Sequence, residues 1–127
     1  MSKKDKETPD AQAAQATAPA KNGNWSVLYL PEVEKDFQGL GPSQRVLVRK
    51  AIAKVAQNPV PAQEGGYGKT LGSDLAGFLK IKLRGAGLRV VYQLVRTENG
   101  MLIVVVGARA DDEVYDIAKA RAKKHNL

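Results

Sequence analysis

The chain has 127 residues, and 20 Lys and Arg against 13 Asp and Glu give a formal charge of +7 with its single His neutral. That length holds one domain at most, and the longest apolar run, Met101 to Val106, is far too short to cross a bilayer. With no cysteine, disulfides, thiol nucleophiles and zinc ribbons have no material to form from, and a lone His125 argues against metal hydrolysis and Ser-His-Asp chemistry.

The first 23 residues, MSKKDKETPDAQAAQATAPAKNG, hold no Val, Ile, Leu, Phe, Tyr or Trp, and such a segment cannot bury a core. A disordered tail over 1–23 ahead of a folded domain over 24–127 is expected. The basic start is followed by Gln-interrupted alanines instead of a continuous apolar stretch, which argues against export and for a cytoplasmic protein. The remaining 104 residues keep 16 basic against 10 acidic side chains, so the surplus belongs to the domain. Such a surplus selects an anionic partner, either nucleic acid or an acidic protein.

From Trp25 the pattern turns to strand, with Trp25, Val27 and Tyr29 alternating with Ser26, Leu28 and Leu30. Pro31 opens a short helix carrying Val33, Phe37 and Leu40 at helical spacing until Gly39 and Gly41 stop it. Ser43 is the expected cap of a second helix whose apolar stripe is Leu47, Val48, Ala51, Ile52, Val55 and Ala56; Asn58-Pro59 closes it. After a loop over 60–76 come three strand patterns, FLKIKLR (78–84), LRVVYQLV (88–95) and MLIVVVG (101–107). Gly85-Ala86-Gly87 and the segment ending in Asn99-Gly100 read as hairpin turns between them. Asp111 or Asp112 caps a last helix bearing Val114, Ile117, Ala118 and Arg121 on one side. The order is β-α-α-β-β-β-α. It predicts an α+β fold: a small antiparallel sheet of about four strands, an N-terminal helical hairpin and a C-terminal helix.

Lys80 and Lys82 stand two apart on a strand and so share a face, with Leu79, Ile81 and Leu83 on the other. Arg84, Arg89 and Arg109 extend the positive charge; residues 78–109 carry six cations against the single acid Glu98. Phosphodiester cleavage needs such a group, because charge grows on the nonbridging oxygens in the transition state. The same row also serves as a solvated face that keeps a sheet edge from aggregating. Tyr115 falls one turn into the last helix. In RNA cleavage by the 2′-hydroxyl, one group takes that hydroxyl's proton and another protonates the departing 5′-oxygen. A dense positive field favours the deprotonated form of a tyrosine or lysine, while plain packing on the sheet is the other role open to Tyr115. Two further motifs carry less. Gly65 to Thr70 ends in Gly-Lys-Thr like a phosphate-binding loop but has Gln63 where the earlier glycine belongs. Consecutive Asp111, Asp112 and Glu113 point in different directions and suit a helix start better than a metal. Trp25 and Tyr67 could stack on bases or simply pack.

GFLKIKLRGAGLRVVYQLV followed by VVVGARADDEVYDIAKAR closely resembles the RelE branch of the RelE/ParE toxin superfamily. The most specific part is Lys80-Ile-Lys82-Leu-Arg84, Gly87, Arg89-Val-Val-Tyr92-Gln93, Gly107, Arg109 and Glu113-Val-Tyr115, and the likeness runs from about Trp25 to Lys124. The resemblance implies the toxin of a type II toxin-antitoxin system, a metal-independent endoribonuclease that cuts mRNA in the ribosomal decoding site. It implies a cognate antitoxin, mRNA and ribosome as partners, with no cofactor and no membrane. Matched to the family's motif, Lys80, Lys82, Arg89, Arg109 and Tyr115 are the catalytic set and Arg84 an RNA-contacting arginine. Tyr115 or a lysine is then the base, Arg109 the acid, and the products a 2′,3′-cyclic phosphate and a 5′-hydroxyl. Leu88 and Ala108 stand where the family commonly has an aromatic and a lysine. Two other functions share the features: a ParE-like toxin that inhibits DNA gyrase, whose branch generally lacks this set, and a non-toxic basic RNA- or ribosome-binding module.

Overall fold

The computed structural model describes residues 25–72, 75–108 and 111–127. The expected tail over 1–23, Arg109 and the capping side chains of Asp111 and Asp112 lie outside the described residues. In chain order the elements are β1 (Ser26–Tyr29), α1 (Val33–Gln38), α2 (Pro42–Val55), β2 (Lys69–Thr70), β3 (Phe78–Leu83), β4 (Leu88–Val95), β5 (Gly100–Gly107) and α3 (Asp111–Lys124). This is the expected α+β class, with helical hairpin, sheet and terminal helix in their places.

β3, β4 and β5 form the antiparallel meander that their patterns predict, paired from Leu83↔Leu88 to Phe78↔Gln93 and from Arg89↔Gly107 to Val95↔Gly100. Each connection is a turn of 3₁₀ helix closed by one left-handed residue, Gly87 at φ +68° and Asn99 at φ +48°. Asn and Gly are the residues that tolerate this conformation, so the turn chemistry in the sequence specifies both hairpins. Val90, Val91 and Tyr92 on β4 and Ile103 to Val106 on β5 are buried on both faces. That is why these strands read as continuous apolar runs instead of alternating ones.

The sheet differs from the expected one at its edges. Its order is β1-β5-β4-β3-β2, and β1 runs parallel to β5, Ser26↔Gly100 through Tyr29↔Ile103. A parallel partner must be reached by a crossover, here everything from α1 to β4, and such a partner leaves no local mark in the sequence. β2 is only two residues long and pairs Lys69 with Lys80 and Thr70 with Leu79.

β1 stops at Tyr29, with a last ladder bond from the Leu30 N–H to the Ile103 carbonyl at 3.1 Å. Two side chains satisfy the edge of β5 beyond it. The Val106 N–H donates to Asp36 Oδ2 at 3.0 Å, and Arg121 Nη1 donates to the Val104 carbonyl at 3.0 Å. Asp36 of α1 and Arg121 of α3 also form a bidentate pair with each other, Nη1 to Oδ2 at 2.6 Å and Nη2 to Oδ1 at 2.9 Å. The two helices thereby replace the missing strand.

α2 begins two residues earlier than a Ser43 cap requires. Gly41 is the cap, Pro42 fills the first position, and Gln44 Oε1 accepts the Gly41 N–H at 2.8 Å; a proline at the first helical position loses no hydrogen bond. Val48, Ile52 and Val55 are buried as expected, but Leu47 of the expected stripe is 45% exposed. On β4 the Tyr92 hydroxyl donates to the Pro59 carbonyl at 2.7 Å, just past α2. The alternate residue on β3, Lys80, faces Tyr115 of α3. The chain leaving α2 thus lies against one face of the sheet and α3 covers the other.

Candidate active site

Residues directly opposed in neighbouring strands project their side chains from the same face. Lys82 is opposed to Arg89, and Arg89 in turn to Gly107. Lys80 and Lys82 share that face by their spacing of two, so three cations line the side of the sheet that α3 covers. β2 adds a fourth that the sequence pattern did not mark, because Lys69 is opposed to Lys80. Lys69 sits in a loop-like stretch after Gly68, and only the strand register reveals it.

Tyr115 lies on α3 against this face, half-buried, and the Lys80 ammonium is 5.9 Å from its ring centroid. Its hydroxyl is buried and has no hydrogen-bond partner among the described residues. A buried polar atom left without a partner costs about 1–3 kcal/mol, and in native proteins such atoms concentrate where function requires them. Arg89 Nη1 donates to the Gly87 carbonyl at 3.2 Å, which holds the guanidinium near the mouth of the β3–β4 turn. Arg84 is exposed in the same turn. Arg109 lies outside the described residues; Gly107, two positions before it, stands opposite Arg89.

Chemically the cluster is suited to an anion. Like charges directly opposed across strands are destabilising, and a phosphate between them turns repulsion into attraction. Because the cations ride on hydrogen-bonded strands, little reorganisation is needed when charge develops on a bound group. Of the expected set, Lys80, Lys82, Arg89 and Tyr115 come together on one face.

Other singled-out residues sort differently. Gly65 to Thr70 is a loop that runs into β2, with no helix following it, so it lacks the strand-to-helix turn of a phosphate-binding loop. Trp25 is half-buried against the core, and its backbone N–H donates to the Ala56 carbonyl at 2.8 Å. Tyr67 is 51% exposed, with the Lys54 ammonium 5.7 Å from its ring centroid.

No family model matches the chain. It is 30% identical over 90 residues to the mRNA interferase toxin RelE of Escherichia coli, an alignment that covers 68% of this chain and 85% of that protein. The chain belongs to the RelE toxin family. A second relative, a RelE-like toxin protein of Escherichia coli, is 29% identical over 100 residues, 78% of this chain and 98% of that one. Among solved structures, an arginine double mutant of the Escherichia coli RelE toxin in the free state superposes with a TM-score of 0.63 at 26% identity, covering 77% of this chain and 97% of that chain. The intact Escherichia coli RelBE toxin-antitoxin complex gives 0.55 at 25% identity, over 66% of this chain and 95% of the other. Among the described residues, no helix of this RelE-family protein is long and apolar enough to cross a membrane.

Proposed function

We propose that this protein is the toxin of a type II toxin-antitoxin pair, and that it cuts messenger RNA in the ribosomal decoding site without a metal ion. The observation that carries the reading is the convergence of Lys80, Lys82 and Arg89 on one face, with Tyr115 packed on it 5.9 Å from the Lys80 ammonium. Relatives bearing the name mRNA interferase and the RelBE complexes supply the substrate and the antitoxin partner.

The cleavage forms a bond from the 2′-oxygen to the adjacent phosphorus and breaks the bond from phosphorus to the 5′-oxygen. The proton leaves the 2′-hydroxyl for Tyr115 or a lysine, and Arg109 delivers one to the departing 5′-oxygen. A 2′,3′-cyclic phosphate and a 5′-hydroxyl result. Lys80, Lys82 and Arg89 balance the charge that grows on the nonbridging oxygens, the task a metal performs elsewhere. Arg84, in the turn beyond the row, contacts the flanking strand. Bringing the 2′-hydroxyl to the buried Tyr115 oxygen requires the first turns of α3 to lift from the sheet. The ribosome-bound message then gives that hydroxyl a hydrogen-bond partner.

Purified protein added to programmed ribosomes in EDTA should cut the message at the decoding site. Arg109→Ala and Arg89→Ala should each slow cutting by about 100-fold or more while staying folded, the scale of losing one transition-state donor. An uncut message, or full activity in both variants, would refute the proposal. The antitoxin should protect residues 112–124 from hydrogen exchange.

A further inference from the structure

The loop between α2 and β2 presents Tyr67 in a way that core packing does not explain. Among the described residues it is the most exposed large hydrophobic side chain, at 51%, yet its backbone is fixed. The Tyr67 N–H donates to the Asn58 carbonyl at 2.9 Å, the Gly68 N–H to the Val60 carbonyl at 3.0 Å and the Ala62 N–H to the Gly68 carbonyl at 2.9 Å. Asn58 Nδ2 donates to the Gly65 carbonyl at 3.2 Å. The flanking glycines are required by close packing. A Cβ on Gly66 would fall 2.1 Å from the Val60 carbonyl oxygen, and one on Gly68 2.4 Å from Leu79 Cδ2 and 2.6 Å from the Tyr92 hydroxyl. Below the loop, the buried Tyr92 hydroxyl holds the Pro59 carbonyl. An exposed aromatic on a preorganised loop loses little entropy when something stacks on it.

Two cations accompany it. Lys54 of α2 sits over the ring at 5.7 Å. Lys69 follows two residues later on the β2 edge and is opposed to Lys80, so this edge strand links the loop, on the α2 side of the sheet, to the cations on the α3 side. An aromatic ring beside a basic track is how proteins hold single-stranded nucleic acid, the ring taking a base and the cations the backbone. We propose that Tyr67, with Lys54 and Lys69, is a stacking subsite for an unpaired RNA base flanking the cleaved phosphate. The subsite rests on the nuclease reading for its place in the reaction, but RNA binding to it can be measured without any cleavage.

The first arm is therefore cleavage-free: affinity of the intact protein for a short, dye-labelled single-stranded RNA at fixed salt. Tyr67→Ala should weaken binding by about five- to tenfold, at the lower end of what one base stacked on an aromatic contributes. Tyr67→Phe should bind like the wild type, since the ring and not the hydroxyl stacks. The second arm uses programmed ribosomes, where Tyr67→Ala should raise KM by a similar factor with kcat within about twofold. Shortening the message on either flank locates the base: a message base makes the effect vanish with truncation, and a ribosomal RNA base leaves it in place. Equal RNA affinity for a folded Tyr67→Ala protein would overturn the subsite, as would an equal loss in Tyr67→Phe. So would a Tyr67→Ala loss confined to antitoxin affinity, which would assign the ring to a protein partner. If the wild type binds RNA through Tyr67 but leaves the message whole, the nuclease reading fails and the subsite stands.

Discussion

The Tyr115 hydroxyl shows a conflict between stability and chemistry within one atom. It is buried without a hydrogen-bond partner among the described residues, and a buried hydroxyl in that state costs about 1–3 kcal/mol. Tyr115→Phe removes that atom and keeps the ring beside Lys80. The variant should be as stable as the wild type or up to about 1 kcal/mol more stable by urea unfolding, while message cutting falls at least tenfold. A destabilised variant would mean that the hydroxyl is satisfied in solution. Lys69 raises a similar conflict, because its place opposite Lys80 sets two like-charged residues across from each other in neighbouring strands. Neither residue's arrangement could be read from composition. The spacing of Lys80 and Lys82 placed them on one face, but Lys69 needed the strand register, and nothing in the sequence says that the tyrosine oxygen would be enclosed.

At the level of elements, the folded molecule depends on how α1 and α3 close the outer edge of β5. Asp36 and Arg121 are 13% and 16% exposed, are bonded to each other through two contacts, and each takes a backbone group of β5. Removing one partner from such a pair leaves a charge and a backbone donor unsatisfied. Asp36→Ala should therefore cost about 3 kcal/mol by denaturant unfolding. Asp36→Asn, which keeps an acceptor for the Val106 N–H, should cost less. The helix patterns, the three-strand meander and both turns were legible because periodicity and left-handed residues are local signals. The parallel β1–β5 pairing was not, and neither was this pair: Arg121 reads as one more residue on the Val114, Ile117 and Ala118 side of its helix, and no local pattern singles out Asp36. Interactions 85 residues apart in sequence carry no periodic signature.

A second contact ties the same helix ends, and it titrates. Glu32 accepts from Lys124 Nζ at 2.9 Å and faces His125 Nε2 at 3.0 Å. The hydrogen bond from Lys124, reinforced by His125, holds its carboxyl down at about 2 against the ordinary 4.5. The unfolded chain binds that proton first, so this stabilisation is complete above about pH 4.5 and is lost as pH falls toward 2. Because Lys124 is 68% exposed and screened by water, about 1 kcal/mol is the expected size. The unfolding midpoint of the wild type should therefore fall more steeply than that of Glu32→Gln between pH 5 and about pH 2.5. Parallel curves would remove Glu32 from the account.

Over the whole molecule, a +7 chain concentrates its excess on one sheet face, beneath a helix that two ionic contacts hold at its far end. α3 is thus anchored through its C-terminal half, and Tyr115 lies in the other half. The charge excess makes RNA binding strongly salt-dependent, because each neutralised phosphate releases counterions. The central claim is that these side chains converge on one scissile phosphate. Its most direct test is to map the ends of the fragments made by wild type and Arg109→Ala on programmed ribosomes. The wild type should make a single cut within the decoding site, leaving a 2′,3′-cyclic phosphate and a 5′-hydroxyl at the new ends, and the variant almost none of either. An intact message, or fragments ending in a 5′-phosphate, would contradict it.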